Sequence, residues 1–397
     1  MFAAPMSFSK NINKIKMRLW KRAAGAVKDR YSIWVARLVP RGPCRNPDLE
    51  TVIIKATSHD EQCMDYKNVQ RVFRWLRTSP LYLKPILYTI SKRMEKTHSW
   101  VVALKGLMLI HGVFCFDLPI VQRMGRLPFD FSRFSDGHMS PEKGWGFNAF
   151  VRAYFAYLDH KSVFVCTKAK KLRRNGNENR TEETLMEELQ NSEKLQGLID
   201  MLIQIKPWNE DMKVVLILEA MDCIMDEVIE LYDTFCTEID RLLVKIYDVG
   251  GKVEASIGLS IIEKAEFQGD KVSLFFDFCR DIGVLNASEC PKILRVPEKD
   301  INELRKIING VPEKKILEGT KNDVKANVEK GISEKKESDK SLKTVITEKW
   351  EVFDDDIVID VKENPSNGAS CDIVTTNPFL ESCSLVPYIV LPDLICL

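Results

Sequence analysis

The stretch from Val52 to Asn68, V-I-I-K-A-T-S-H-D-E-Q-C-M-D-Y-K-N, sets two lysines beside a fresh helix start within one short run. Asp48 is of a capping type for a short helix carrying Val52, Ile53 and Ile54. Ser58 with Glu61 three residues later reads as a capping box ahead of the next helical run, Val69 to Leu76. On that reading Lys55 lies next to a helix N-terminus, where unpaired amides and the positive dipole end favour an anion, and Lys55 and Lys67 add two point charges. A phosphate group suits such a corner. A plain helix corner with solvated lysines fits these residues equally simply, and taken alone they favour it.

Other spacings carry less chemistry. His59 with Cys63, and His111 with Cys115, stand four residues apart, as two ligands on one helical turn do, but zinc takes three or four. His111 and Cys115 fall in an apolar run, where core packing is the expected role. There is no Gly-rich phosphate loop, no G-x-S-x-G and no H-E-x-x-H. The acid pairs Glu182–Glu183 and Glu187–Glu188 read as solvated helix surface. The expectation is a protein without catalysis, metal or cofactor, with a metal enzyme built on His59 and Cys63 as the rival of another class.

The elements that would position these residues are helices. Apolar residues recur at helical spacing in Ile86–Met94, Trp100–Phe116, Phe147–Phe164, Thr184–Ile205 and Val214–Val249, the last long enough to carry a break. Prolines and polar stretches separate them, and strand alternation is almost absent. Nearly continuous helical hairpins without a fixed repeat period point to an all-α solenoid. Trp100–Phe116 contains Lys105 and His111 and is short for a membrane span of about 20 residues, so it is read as a buried helix. Residues 8–23 set Phe8, Ile12, Ile15 and Leu19 against Lys10, Lys14, Arg18 and Lys21. This is a basic amphipathic helix, expected to pack on its own domain, with an anionic membrane as the alternative.

The net charge of +1 over 397 residues excludes nucleic-acid binding by bulk electrostatics. It conceals polarity: residues 1–45 hold eleven Lys or Arg against Asp29, and residues 354–397 hold eight acids against Lys362. Eleven cysteines without a C-x-x-C pair fit a reducing cytoplasm. Near Pro312 the composition turns to Lys, Glu, Ser, Asp and Thr, which predicts a disordered linker. Beyond it stand short apolar islands among acids, Trp350 with Phe353, Asn377-Pro378-Phe379, and Leu391 to Leu397, which look like peptide docking motifs that gain by avidity.

Together, I-I-K-A-T-S-H-D-E at 53–61, S-W-V-V-A-L-K-G-L-M-L-I-H-G at 99–112 and F-N-A-F-V-R-A-Y-F-A-Y-L-D-H-K at 147–161 resemble the ANTH domain of clathrin assembly proteins, plant members most of all. The resemblance implies three parts: an extension over residues 1–16, a helical domain over 17–310 that binds phosphatidylinositol 4,5-bisphosphate membranes, and a disordered tail over 311–397. It further implies an endocytic adaptor at clathrin-coated pits and vesicles of the plasma membrane, with the Golgi a further location, and a domain that can hold SNARE helices. The family's head-group motif is a lysine, nine residues, a second lysine, one residue, then lysine and histidine. Its first and third lysines fall on Lys55 and Lys67, but Asp65 and Asn68 stand at the other two positions; His59 lies between. By the same resemblance Asn377-Pro378-Phe379 fits Eps15-homology domains, Trp350 with Phe353 fits adaptor-complex appendages, and Asp393-Leu394-Ile395 approximates a clathrin heavy chain motif. A helical scaffold with weakened lipid binding is the alternative.

Overall fold

The computed structural model describes residues 6–310 other than 39, 41–44, 117, 178–183 and 289. The disordered-linker expectation beyond Pro312 and the three tail motifs lie outside the described residues. Ten α-helices follow one another, and no strand occurs among the described residues: α1 Met6–Leu38, α2 Pro47–Ala56, α3 Tyr66–Thr78, α4 Leu83–Lys96, α5 Trp100–Phe114, α6 Pro141–Asn177, α7 Leu185–Leu202, α8 Val215–Val249, α9 Lys252–Asp281 and α10 Glu298–Asn309. Most of them pack on the next helix or the next but one, α1 on α2, α2 on α3 and α4, α5 on α6, α7 on α8 and α9, and α9 on α10. This is the stacked-helix solenoid that the periodicity predicts.

The sequence explains the ends. Pro47 and Pro141 open α2 and α6 at the first-turn position, where a missing N–H costs nothing. Gly310 closes α10 in the left-handed conformation with φ 70°. The possible break in α8 does not occur; it runs unbroken through 35 residues because its apolar face stays continuous from Leu216 to Ile246. In α5 every residue from Trp100 to Val113 is buried, including Lys105 and His111. Burying one such leucine or valine side chain contributes about 1.5–3 kcal/mol, so α5 is the axis of the amino-terminal half. It touches α4, α6 and, across the stack, α8.

Of the face expected to pack in residues 8–23, only Leu19 lies among the residues whose side chains are described. The backbone is helical there and Leu19 is 58% exposed, while the side chains of Phe8, Ile12 and Ile15 lie outside the description. Packing on α2 is done further along α1, by a different face carrying Gly25, Asp29 and Ala36. Gly25 permits the approach: a Cβ there would stand 2.7 Å from Cβ of His59. No described helix is long and apolar enough to cross a membrane.

Candidate functional site

The corner between α2 and α3 is built differently from the sequence expectation. Asn46, not Asp48, caps α2, because its side chain precedes Pro47 and accepts from the backbone N–H groups of Asp48 at 3.0 Å and Leu49 at 3.3 Å. Lys55 is exposed in the last turn of α2, where a cation complements the negative dipole end. Ser58 and Glu61 form no capping box. Ser58 instead accepts a 3.3 Å hydrogen bond from the buried Lys105 ammonium of α5, and the chain stays irregular to Asp65. Asp65 caps α3: its carboxylate accepts from the backbone N–H of Asn68 at 3.1 Å and from Nδ2 of Asn68 at 2.6 Å. The positive end of α3 therefore already holds a carboxylate belonging to the chain itself.

The residues picked out from sequence fall into two groups. Lys55 and Lys67 are both exposed, on either side of the irregular segment. Asn68 is buried, with its amide engaged by Asp65 and by Nη1 of Arg71 at 3.4 Å, so it faces inward. His59 is held from α1. Asp29 accepts from the His59 backbone N–H and from Nδ1, each at 2.8 Å, while Nη2 of Arg93 donates to the same carboxylate at 2.8 Å and to the Thr57 carbonyl at 2.7 Å. Burial pushes the Asp29 carboxyl up, but the hydrogen bonds from His59 and Arg93 outweigh it and hold it below the usual range. His59 makes no metal group with Cys63, and no set of three or more possible ligands clusters among the described residues.

His111 sits in the core, as expected. Tyr154 Oη lies 2.7 Å from Nδ1 and Glu227 Oε2 lies 3.0 Å from Nε2. Burial keeps the imidazole pKa below its ordinary value, so a neutral ring accepts from Tyr154 and donates to Glu227. Glu227 also receives Lys161 at 2.6 and 2.7 Å and Tyr157 at 2.5 Å. Burial would raise this carboxyl, yet Lys161 and His111 hold it far below the carboxylate range. Neither Lys161 nor Glu227 stands out in the sequence, because each looks like a surface charge on a helix.

Two features of the surface escape sequence reasoning. The first is a stripe on α1. Trp20, Val27, Tyr31, Trp34 and Leu38 recur at steps of 7, 4, 3 and 4 and are 57–77% exposed, opposite the face that packs on α2. Exposed Lys21 and Lys28 flank it on one side, Arg30 and Arg37 on the other. The second is a cleft of about 610 Å³ between α1, α2, His59, and the α4–α5 turn. It is lined by Lys28, Arg45, Lys92, Arg93 and Lys96, with His59, His98 and His138, against one lining acid, Glu50. Arg45 grips Glu50 through two bonds of 2.7 and 3.2 Å. Only K-R-M-E-K-T-H at 92–98 hints at the cleft in sequence; the rest converges from segments up to 110 residues apart.

Comparison with known proteins matches residues 48–310 to the ANTH domain. Two Arabidopsis thaliana proteins, both bearing the name "Putative clathrin assembly protein", are similar nearly end to end. One is 45% identical over 347 residues, 87% of this chain and 90% of its own; the other is 46% identical over 346 residues, 86% and 89%. A third of the same name and organism is 39% identical over 300 residues, 75% of this chain and 84% of its own.

Proposed function

This chain belongs to the ANTH domain family, and from that premise we propose that it is a non-enzymatic endocytic adaptor. Its helical domain, residues 17–310, docks on membranes carrying phosphatidylinositol 4,5-bisphosphate. Its tail, residues 311–397, gathers clathrin and accessory proteins for coated-vesicle formation. The near full-length similarity to proteins named for clathrin assembly supports the adaptor role. The observation that carries the membrane part is the exposed stripe on α1. Indole and phenol rings flanked on both sides by Lys and Arg suit the boundary between lipid headgroups and acyl chains. A buried docking partner would not need four flanking cations. Lys55 and Lys67 add about 1 kcal/mol each near an anionic surface. Weak lipid contact and weak tail motifs then reinforce one another on one membrane.

In the tail, Asn377-Pro378-Phe379 is assigned to Eps15-homology domains, Trp350 with Phe353 to adaptor appendages and Asp393-Leu394-Ile395 to the clathrin heavy chain. The adaptor works at coated pits on the cytoplasmic side of the plasma membrane. One observation favours a second reading, a scaffold with weakened lipid binding: Asp65 puts a carboxylate where the family motif has a lysine. Sedimentation with liposomes separates the two. The adaptor reading expects binding that depends on the bisphosphate lipid and drops for Lys55→Glu with Lys67→Glu. Equal binding to plain and bisphosphate liposomes, unchanged by the double substitution, would leave only the scaffold.

A further inference from the structure

α6 and α7 pack on one another and leave between them a groove of about 400 Å³. We infer that this groove docks the chain's own segment Asn377-Pro378-Phe379-Leu380-Glu381, with the Phe379 ring on the groove floor and the Glu381 carboxylate at Lys194. The floor is apolar, made by Val163 and Phe164 of α6 and by Leu198 and Met201 of α7. Between the last two pairs of contacts lies a notch. Gly197 stands in the middle of α7, where a Cβ would meet nothing within 4 Å. Glycine is the poorest helix former after proline, and no neighbour in the fold requires it here, so the space it leaves is open to an incoming side chain. Phe164 and Met201 favour an aromatic one, through ring–ring and sulfur–ring contacts.

The charges at the mouth are Arg126, Lys168 and Lys194 against one lining acid, Asp159. Asp159 is already engaged: it accepts from Arg126 Nη1 at 3.0 Å and from the Leu127 N–H at 2.9 Å. Lys168 lies 3.6 Å from Glu238. Lys194 has no hydrogen-bond or ion-pair partner among the described residues. The groove therefore suits an aromatic ring with a single carboxylate close by.

Residues 354–397 are opposite in sign, with eight acids against Lys362, and within them Phe379 is the aromatic residue that has an acid two positions away. Trp350 and Phe353 bring Glu351 and three aspartates, more charge than one unpaired lysine balances, and Leu391–Leu397 offers no ring. Asn377 stands 67 positions beyond Gly310, where α10 ends. A chain of that length can span about 220 Å, so the tether does not limit the reach. Docking withholds Phe379 from any other receptor. On the Eps15-homology assignment above, groove and receptor compete for one side chain; the docking itself does not rest on that assignment and stands if it fails.

The test is fluorescence anisotropy of a labelled peptide of residues 374–382 with the full chain. The wild-type groove is filled from within, so the Phe379→Ala chain should bind the peptide at least tenfold more tightly than wild type does. In the Phe379→Ala background, Gly197→Leu, which fills the notch, and Lys194→Glu should each weaken the peptide about tenfold. A peptide carrying Glu381→Lys should regain affinity for the Lys194→Glu chain, a charge swap that misfolding cannot mimic. Absence of peptide binding by the Phe379→Ala chain, equal binding by that chain and wild type, or binding indifferent to both groove substitutions overturns the inference. A wild type that sediments as a dimer and turns monomeric on Phe379→Ala overturns docking within one chain in favour of the tail of a second copy. Titration of the same peptide with an isolated Eps15-homology domain tests the receptor assignment separately.

Discussion

Asp65 offers the sharpest test of where phosphate approaches, because it does two separable jobs. Its carboxylate caps α3, and its charge stands between Lys55 and Lys67, in the segment proposed to face lipid phosphate. Asn caps a helix about as well as Asp, so Asp65→Asn removes the charge and keeps the cap. Lifting one repulsion of about 1 kcal/mol at a solvated surface tightens binding to bisphosphate vesicles about fivefold. Asp65→Lys removes the repulsion and adds an attraction, about 2 kcal/mol together, or roughly thirtyfold. It also gives up the cap, worth about 1 kcal/mol. With an unfolding entropy of about 2.1 cal/mol/K per residue over some 300 residues, that loss lowers the melting temperature by only about 2 °C. Vesicle sedimentation at 0.1 M salt reads the affinities and circular dichroism the melting. The gain should shrink at 0.5 M salt as screening takes over. If Asp65→Asn binds no tighter than wild type, phosphate does not approach the start of α3 and the Lys55–Lys67 site is refuted.

Three further outcomes follow from the geometry. Trp20→Ser with Trp34→Ser should leave melting within about 1 °C, since both rings face solvent, yet reduce vesicle flotation at least tenfold; unchanged flotation would remove the stripe from the membrane reading. Glu227→Gln leaves Lys161 buried without its countercharge and should cost about 3–5 kcal/mol, some 5–8 °C by calorimetry, whereas Glu227→Leu with Lys161→Met should recover much of it; a single variant that melts like wild type would contradict the buried contacts. Burial, helped by Asp222, pushes the Asp226 carboxyl up to about 7 from its ordinary 3.8. Its folded form keeps the proton longer than the unfolded one, so its contribution is whole below about pH 4 and lost as pH rises through about 7. Urea midpoints of Asp226→Asn should therefore gain on wild type between pH 4 and 7, and parallel pH profiles would disprove the shift.

Periodicity made the helices legible because a 3.6-residue pattern is local. α5 and α8 can be read from their apolar residues without knowing what covers them. Caps were harder: Ser58 and Asp65 are both capping types, and the choice between them was made from a distance by Lys105, which engages the Ser58 hydroxyl. His59 shows the same limit. Its nearest chemical neighbour by spacing is Cys63, but its partners are Asp29 and, through that carboxylate, Arg93. The lysine at 55 and the lysine at 67 were visible as charges; that Asn68 points inward was not, since burial of a polar amide depends on Asp65 having satisfied it. Beyond the basic run at 92–98 the cleft could not be read, because its walls come from four helices and the connections beside them, and no window of sequence contains two facing sides.

In a stack where each helix rests mainly on its neighbours, unfolding can begin at either end and spread one repeat at a time. The Glu227 cluster changes that. It ties α8 to His111 of α5 and to Tyr157 and Lys161 of α6, so the middle of the stack melts as one cooperative block. A pull on the carboxy-terminal side of that block is then passed to α5 without loosening the helices between.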